Sequence, residues 1–376
     1  MPNVLLLCEY ATLSGGEHSM LGTFEGLLAA GFTPSVAAPP SGPLVEALRA
    51  AGVEHVPFPL QTADGKRLSQ QLRREELAEL LRQRRPDLLH ANSLSMGRLC
   101  GPVAKDSRLP SITHLRDIVR LSGRAIADLN CNRRLLAVSR ATRDFHAGAG
   151  LAAEKTHVLY NGVDLQQFRP RAATGFLHRE RDIPPGTPLI GTIGQICLRK
   201  GQDVLLRAAA MAAGRLPDAN YLVVGERYSD KDESRRFESD LHTTDSGPLA
   251  GKLHFLGFRH DVGKILSELT LLVHPARQEP LGRVLLEAAA AGTAVIATDV
   301  GGTREIFPRQ SQSARFVSPD DPEAMAGAIV ELLSDARLRS KLSASARRRA
   351  EDAFELQQAT GKLAEHYRQV ASSQDQ

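Results

Sequence analysis

The stretch PLIGTIGQICLRKGQ, residues 188–202, runs from an apolar segment (Leu189–Ile193) through a glycine turn and two adjacent cations, Arg199 and Lys200, into a helical pattern beginning near Gln202. A strand that passes through glycines into a helix is the opening unit of a doubly wound α/β domain. The N-terminus repeats the plan: residues 3–7 (NVLLL) are apolar, Leu13–Glu17 is a Ser/Gly turn, and a helical stretch follows to about Ala30. Outward from these two starts, apolar runs recur at 33–38, 53–58, 87–91, 110–114 and 134–138, and again at 220–224, 252–256, 270–274 and 294–297, each separated from the next by a longer segment. Strands alternating with helices predict parallel sheets covered on both faces, so the expected architecture is two doubly wound α/β domains in tandem.

The length of 376 residues agrees with two domains, since one core rarely keeps growing past about 250–300 residues. Between the two series of strands, residues 161–188 are rich in Arg and Pro and lack an apolar period, which predicts a domain linker. The tail from Asp335 is helical, first Arg-rich and then amphipathic.

Lys and Arg number 47 against 43 Asp and Glu, with no Trp, which argues against a nucleic-acid-binding protein. The four cysteines, Cys8, Cys100, Cys131 and Cys197, are far apart and contain no C-x-x-C pair, which points to reduced thiols in the cytoplasm and to no zinc site. Val4–Cys8 has no basic segment before it and runs into Glu9, so a core strand explains it better than a lipoprotein signal. No run approaches 18 apolar residues, so any membrane contact is expected to be peripheral. Asp230-Lys231-Asp232 spells D-x-D, but its polar surroundings predict a solvated loop rather than a cation site.

Two segments carry chemistry. The turn Gly191–Gly201 offers glycines that let backbone approach a phosphate, a helix start with free N–H groups, and the charges of Arg199 and Lys200. The second is EPLGRVLLEA, residues 279–288, directly after the apolar Leu271–Val273 and His274-Pro275. A helix expected to begin near Leu281 places Glu287 one turn beyond Arg283 and Val284, with Glu279 in the preceding loop, so two carboxylates border one anion-binding helix start. Carboxylates there suit vicinal hydroxyls of a sugar or ribose, and a Glu287 in nearly all-apolar surroundings needs a partner.

This arrangement resembles the retaining nucleotide-sugar glycosyltransferases of glycosyltransferase family 4, whose E-x7-E signature appears as Glu279 to Glu287. The resemblance spans almost the whole chain: Ser14-Gly15-Gly16-Glu17, Asn161-Gly162-Val163-Asp164 with Phe168, Lys200-Gly201, Val224-Gly225-Glu226, Phe255-Leu256-Gly257-Phe258 and Ala297–Glu305 stand in the family's order. It implies a GT-B fold, two Rossmann-like parallel-sheet domains facing a central cleft: an acceptor domain at 1–168, a donor domain at 169–352, and a C-terminal helix, 353–376, crossing back to the first. It implies that Glu279 holds hydroxyls of the transferred sugar, Glu287 the ribose, and Lys200 with Arg199 the departing diphosphate, assisted by amides around Gly282, Arg283 and Val284. Gly15, Gly16, Gln195, Gly225, Phe258 and Val262 complete the donor set. Gln195 stands where the family usually has Arg, and brings hydrogen bonds without charge. His114 matches the histidine beside the transferred sugar, and Asn92, Arg116 and Asp117 are expected on the acceptor side. His90 reads as a packed core histidine, and Arg116 and Asp117 suit an internal salt bridge equally well.

The implied reaction moves a hexosyl group from a UDP- or GDP-sugar to an acceptor hydroxyl in glycan, glycolipid or cell-envelope polysaccharide synthesis, with retention, no metal and no cofactor, in the cytoplasm or at the inner membrane face. A nucleotide-sugar epimerase, a phosphorylase, or a catalytically silent sugar-nucleotide-binding protein are the alternatives.

Overall fold

A computed structural model describes residues 1–62 and 64–372. The chain divides into two compact units: one from Met1 to Gly162 joined by the helix Leu356–Ser372, the other Val163–Glu355.

In the first unit, seven strands form one all-parallel sheet: β1 (Asn3–Leu7), β2 (Thr33–Ala38), β3 (Glu54–Pro57), β4 (Leu88–Ala91), β5 (Ser111–Leu115), β6 (Arg134–Ala137) and β7 (Thr156–Val158), in the order β3-β2-β1-β4-β5-β6-β7. Alternate side chains leave opposite faces of a strand, and both faces here are covered. Val4 and Leu6 join Val36, Leu88, Ile112 and Leu136 in one core, whereas Leu5 and Leu7 join Ala37, Val56 and Leu89 in another. The helix Leu356–Ser372 contributes Leu363, Ala364, Tyr367 and Val370 to the first of these cores, which is why the tail belongs to this unit.

The second unit holds β8 (Leu189–Ile193), β9 (Asn220–Val224), β10 (Leu253–Gly257), β11 (Leu271–His274), β12 (Val295–Thr298) and β13 (Arg315–Val317), again all parallel, in the order β10-β9-β8-β11-β12-β13. Ile190, Tyr221, Val223, Leu271, Val273 and Ile296 face the helices Gln202–Ala212 and Pro322–Ser334, whose Leu205, Ala209, Met325 and Ile329 complete the core. In both sheets the order reverses beside the first strand of the unit, the switch point where α/β sheets bind ligands beyond the carboxyl ends of the strands.

Three features depart from the sequence reading. The three-residue edge strands β7 and β13 are additional; both are too short to show a period. The boundaries fall at Gly162/Val163 and Glu355/Leu356 rather than 168/169 and 352/353, because Val163 N–H donates to Phe354 O at 2.7 Å and Arg347 donates to Phe168 O at 3.0 Å. The segment 161–188 contains the first boundary, and most of it packs into the second unit: Phe168, Leu177 and Ile183 are buried, and a short helix, Phe176–Glu180, lies within it. The buried carboxylate of Glu268 accepts Thr174 N–H at 2.6 Å, Thr174 O–H at 2.8 Å and Gly175 N–H at 2.9 Å. Among the described residues no helix is long and apolar enough to cross a membrane.

Because the buried Glu268 carboxylate accepts three hydrogen bonds from Thr174 and Gly175, Glu268→Ala should lower the unfolding free energy by about 1–2 kcal/mol in urea titration. A loss within experimental error would show that the segment 168–183 is held by its apolar side chains alone.

Candidate active site

The carboxyl ends of β8 and β11, adjacent at the switch point, carry the two loops singled out by their chemistry. The loop after β8 ends in the single turn Leu198–Lys200, and Gly201 then opens the helix Gln202–Ala212. Gly201 sits at φ +68°, and a Cβ there would fall 2.0 Å from the Pro275 carbonyl oxygen, so only glycine lets this loop lie against the loop after β11. The helix in the second loop spans Arg283–Ala291, starting two residues later than expected because Gly282 is left-handed at φ +103°. Its first amides lack partners within the helix, the position at which anions bind.

Lys200 Nζ lies 2.5 Å from Glu279 Oε2, and His274 Nε2 donates to the same oxygen at 2.7 Å. Glu279 and His274 are buried. Burial pushes the Glu279 carboxyl up, but the Lys200 charge and the hydrogen bond from His274 together outweigh it and hold the group well below the usual carboxylate range. Burial lowers the His274 imidazole despite the carboxylate beside it, so His274 is a neutral donor near pH 7. The main chain of Glu279 is fixed independently: Gly302 N–H donates to its carbonyl at 3.0 Å, and a Cβ on Gly301, at φ +52°, would fall 1.9 Å from that oxygen. In the helix that follows, Glu287 is buried and Arg283, one turn before it, donates its Nε–H to it at 2.7 Å, which supplies the partner its apolar surroundings require. Burial there prevails over the Arg283 charge, and the Glu287 pKa is raised.

The remaining residues of the expected donor set in this unit line up along the same edge of the sheet. Arg199 donates to Gln278 O at 3.3 Å, directly before Glu279. Gln195 is half-buried after β8, its carbonyl accepting from Gln202 Nε2 at 2.8 Å. Gly225 follows β9 and donates to Gly257 O at 2.8 Å, Phe258 follows β10 with its ring against His260, and Val262 opens the helix Val262–Glu268. Val284 stands in the first turn after Gly282. In the D-x-D segment Asp230 pairs with Arg227 at 3.0 Å and Asp232 starts the helix Asp232–Thr243.

A second constellation forms at the switch point of the first unit. Arg116 donates to Asn92 O at 3.0 Å, Asn92 Oδ1 at 2.8 Å and Asn161 Oδ1 at 3.1 Å, so its guanidinium holds two asparagines rather than Asp117, whose carbonyl instead accepts from His146 at 2.8 Å. Gly16 lies against Arg116, where an added Cβ would stand 3.2 Å from its Cδ, and Gly15 begins the helix Gly15–Leu21. His114 is the penultimate residue of β5, with its Nδ1 at 2.8 Å from His90 Nε2, and His90 Nδ1 lies 2.6 Å from the Tyr367 hydroxyl. His90, His114, Asn92, Arg116 and Asn161 line one pocket.

Sequence reasoning missed His274, Asn161 as an Arg116 partner, and the contacts of His90 with Tyr367. A titratable residue closing an otherwise apolar strand beside the two glutamates was the available signal for His274; Tyr367 stands 277 residues from His90 and left none.

Two Rossmann-like parallel-sheet units, with a cation, two carboxylates and an open helix start at the second switch point, define the GT-B class of glycosyltransferases. Family models agree: residues 13–167 match Glycosyltransferase Family 4 and residues 174–349 match Glycosyl transferases group 1. The chain belongs to the family 4 type of glycosyltransferases. It is 27% identical over 342 residues to D-inositol 3-phosphate glycosyltransferase 1 of Catenulispora acidiphila, across 82% of this chain and 79% of that protein. It is 38% identical over 154 residues to phosphatidyl-myo-inositol mannosyltransferase of Mycolicibacterium smegmatis, across 40% of this chain but only 37% of that protein. The fold is shared with Anabaena Alr3699/HepE, solved in complex with UDP-glucose, at a TM-score of 0.87 and 21% identity over 98% of this chain and 100% of that one.

With Lys200 removed, burial should dominate Glu279. In Lys200→Met the Glu279 carboxyl should titrate at a higher pH than in the parent protein, read by carbon-13 NMR of the labelled carboxyl; an unchanged titration would show that His274 alone sets it.

Proposed function

We propose that the chain is a retaining, metal-independent transferase that moves a hexosyl group from a nucleoside diphosphate sugar to an acceptor hydroxyl. The observation that carries this reading is the Lys200–Glu279 pair beside an open helix start at the switch point of the second unit. Glu279 Oε2 is occupied by Lys200 and His274, which leaves Oε1 to accept from sugar hydroxyls. Glu287 accepts from the ribose hydroxyls, and the amides of Gly282, Arg283 and Val284 receive phosphate oxygens. Gln195, Gly225, Phe258 and Val262 border the nucleotide and set the choice of base.

As the bond from the anomeric carbon to the diphosphate breaks, negative charge grows on the leaving oxygen, where Lys200 and Arg199 stabilise it. The acceptor oxygen attacks from the face the diphosphate is leaving, its proton passes to a phosphate oxygen, and the configuration is kept. The positive charge a metal would bring is supplied by two side chains. The first unit supplies the acceptor side through Asn92, Arg116 and Asp117, with His114 beside the sugar and the Gly15-Gly16 turn against Arg116.

The acceptor belongs to a glycan, glycolipid or cell-envelope polysaccharide, and the enzyme works in the cytoplasm with peripheral membrane contact. This is supported by the inositol and phosphatidyl-myo-inositol substrates in the relatives' names and by a lipopolysaccharide core mannosyltransferase of Rhizobium meliloti, 26% identical across 75% of this chain. A nucleotide-sugar-binding protein without turnover is the rival reading, because Gln195 lacks the charge of arginine.

Incubation with radiolabelled UDP- and GDP-sugars in EDTA separates these readings: transfer or slow hydrolysis is expected, and tight binding with no turnover would favour the silent protein. Glu279→Ala and Lys200→Ala should each lower turnover at least about a hundredfold, the scale of losing charge stabilisation at a leaving group. Near-normal rates would remove both residues from the site.

A further inference from the structure

The buried chain Tyr367–His90–His114 runs from the C-terminal helix through β4 to β5, and donor supply fixes the direction of its hydrogen bonds. Tyr367 is fully buried, and among the described residues His90 Nδ1, at 2.6 Å, is the partner of its hydroxyl. Were His90 the donor on this contact, the tyrosine proton would be left in the core without an acceptor. The O–H of Tyr367 therefore donates to His90 Nδ1. A neutral imidazole carries one proton, so His90 carries it on Nε2 and donates it to His114 Nδ1 at 2.8 Å. His114 then carries its own proton on Nε2, the nitrogen to which nothing bonds among the described residues.

Both rings stay neutral. Burial lowers His90 to about 3 and His114 well below its ordinary value, and the Arg116 charge pushes in the same direction. The rings are stacked with centroids 4.9 Å apart, the Tyr367 ring meets His90 edge-on, and Phe32 meets Tyr367 edge-on in turn, so packing holds the relay in place.

We propose that Tyr367 and His90 are positioning residues that lock His114 in the Nε2–H tautomer, so that it presents a neutral hydrogen-bond donor to the pocket it shares with Asn92 and Arg116. A donor imidazole of this kind can hold a hydroxyl or ring oxygen of a substrate, and it cannot take a proton from one. The consequence for catalysis rests on the transferase reading: His114 orients the substrate, and the acceptor proton goes to the leaving diphosphate. The tautomer itself does not depend on that reading. The C-terminal helix thereby acquires a role beyond closing the core, because it supplies the first proton of the relay.

Long-range proton–nitrogen NMR of the full-length, nitrogen-15-labelled protein at pH 7 tests this, with the His114 signals assigned by their loss in His114→Gln. His114 is expected as the Nε2–H tautomer with an unprotonated Nδ1; an Nδ1–H tautomer or an imidazolium in the parent protein overturns the proposal without any variant. In Tyr367→Phe, His114 should become a mixture of tautomers while kcat falls about tenfold and donor KM stays the same. A His114 tautomer unchanged by that substitution would likewise overturn it. Transfer activity absent from the parent protein, with the Nε2–H tautomer present, would sink the transferase reading and leave the relay standing.

Discussion

The ion pair between the half-buried Lys200 and the buried Glu279, beyond the carboxyl ends of two adjacent central strands, is the constraint around which the second unit is arranged. Removing two charges from water costs several kcal/mol per ion, and a well-packed apolar pair would often serve stability as well or better. Each surrounding feature lowers the cost: His274 adds a hydrogen bond to the carboxylate, Arg199 ties down the backbone before it, and the carbonyl of Glu279 is held by the Gly301-Gly302 turn. The pair is thus pre-organised, and charge developing on a leaving diphosphate would meet a cation already in place.

The first unit solves a comparable problem with neutral groups. Arg116 is spread over two asparagines, and the histidines beside it are kept uncharged by burial and by its field. A cation and two imidazoles can share one pocket only if the imidazoles remain neutral. The two units therefore use one topology for different electrostatics: an ion pair after β8 and β11, and a cation held by neutral amide partners beside uncharged imidazoles at β4 and β5.

Much of this was legible in the sequence, for identifiable reasons. Strands buried on both faces are short, continuous apolar runs, so β1 and β8 announced themselves beside their glycine turns. Lys200 and Glu279 were legible because each stands in the loop that leaves a strand, and Glu287 because a fixed spacing carries it into the helix that follows. The edge strands β7 and β13 were not, since three residues carry no period. The segment 161–188 misled because its prolines and arginines hide the spaced apolar residues Phe168, Leu177 and Ile183, and because Glu268, which binds Thr174 and Gly175, lies far along the chain. Relations between distant residues were equally hidden: that His90 meets His114 depends on β4 lying beside β5, and that Tyr367 completes the chain depends on a helix at the far end of the sequence packing against the first sheet. The tautomer of His114 could be argued only once all three were in contact.

If Lys200 and its surroundings form a diphosphate site, a nucleoside diphosphate that binds only the folded state raises the melting midpoint through them. Thermal unfolding of the parent protein and of Lys200→Ala should be followed with UDP, GDP and their sugars, in EDTA throughout. At least one nucleoside diphosphate should raise the midpoint of the parent protein, and that rise should be lost in Lys200→Ala. Equal shifts in both proteins, or no shift with any nucleotide, would show that Lys200 holds no diphosphate.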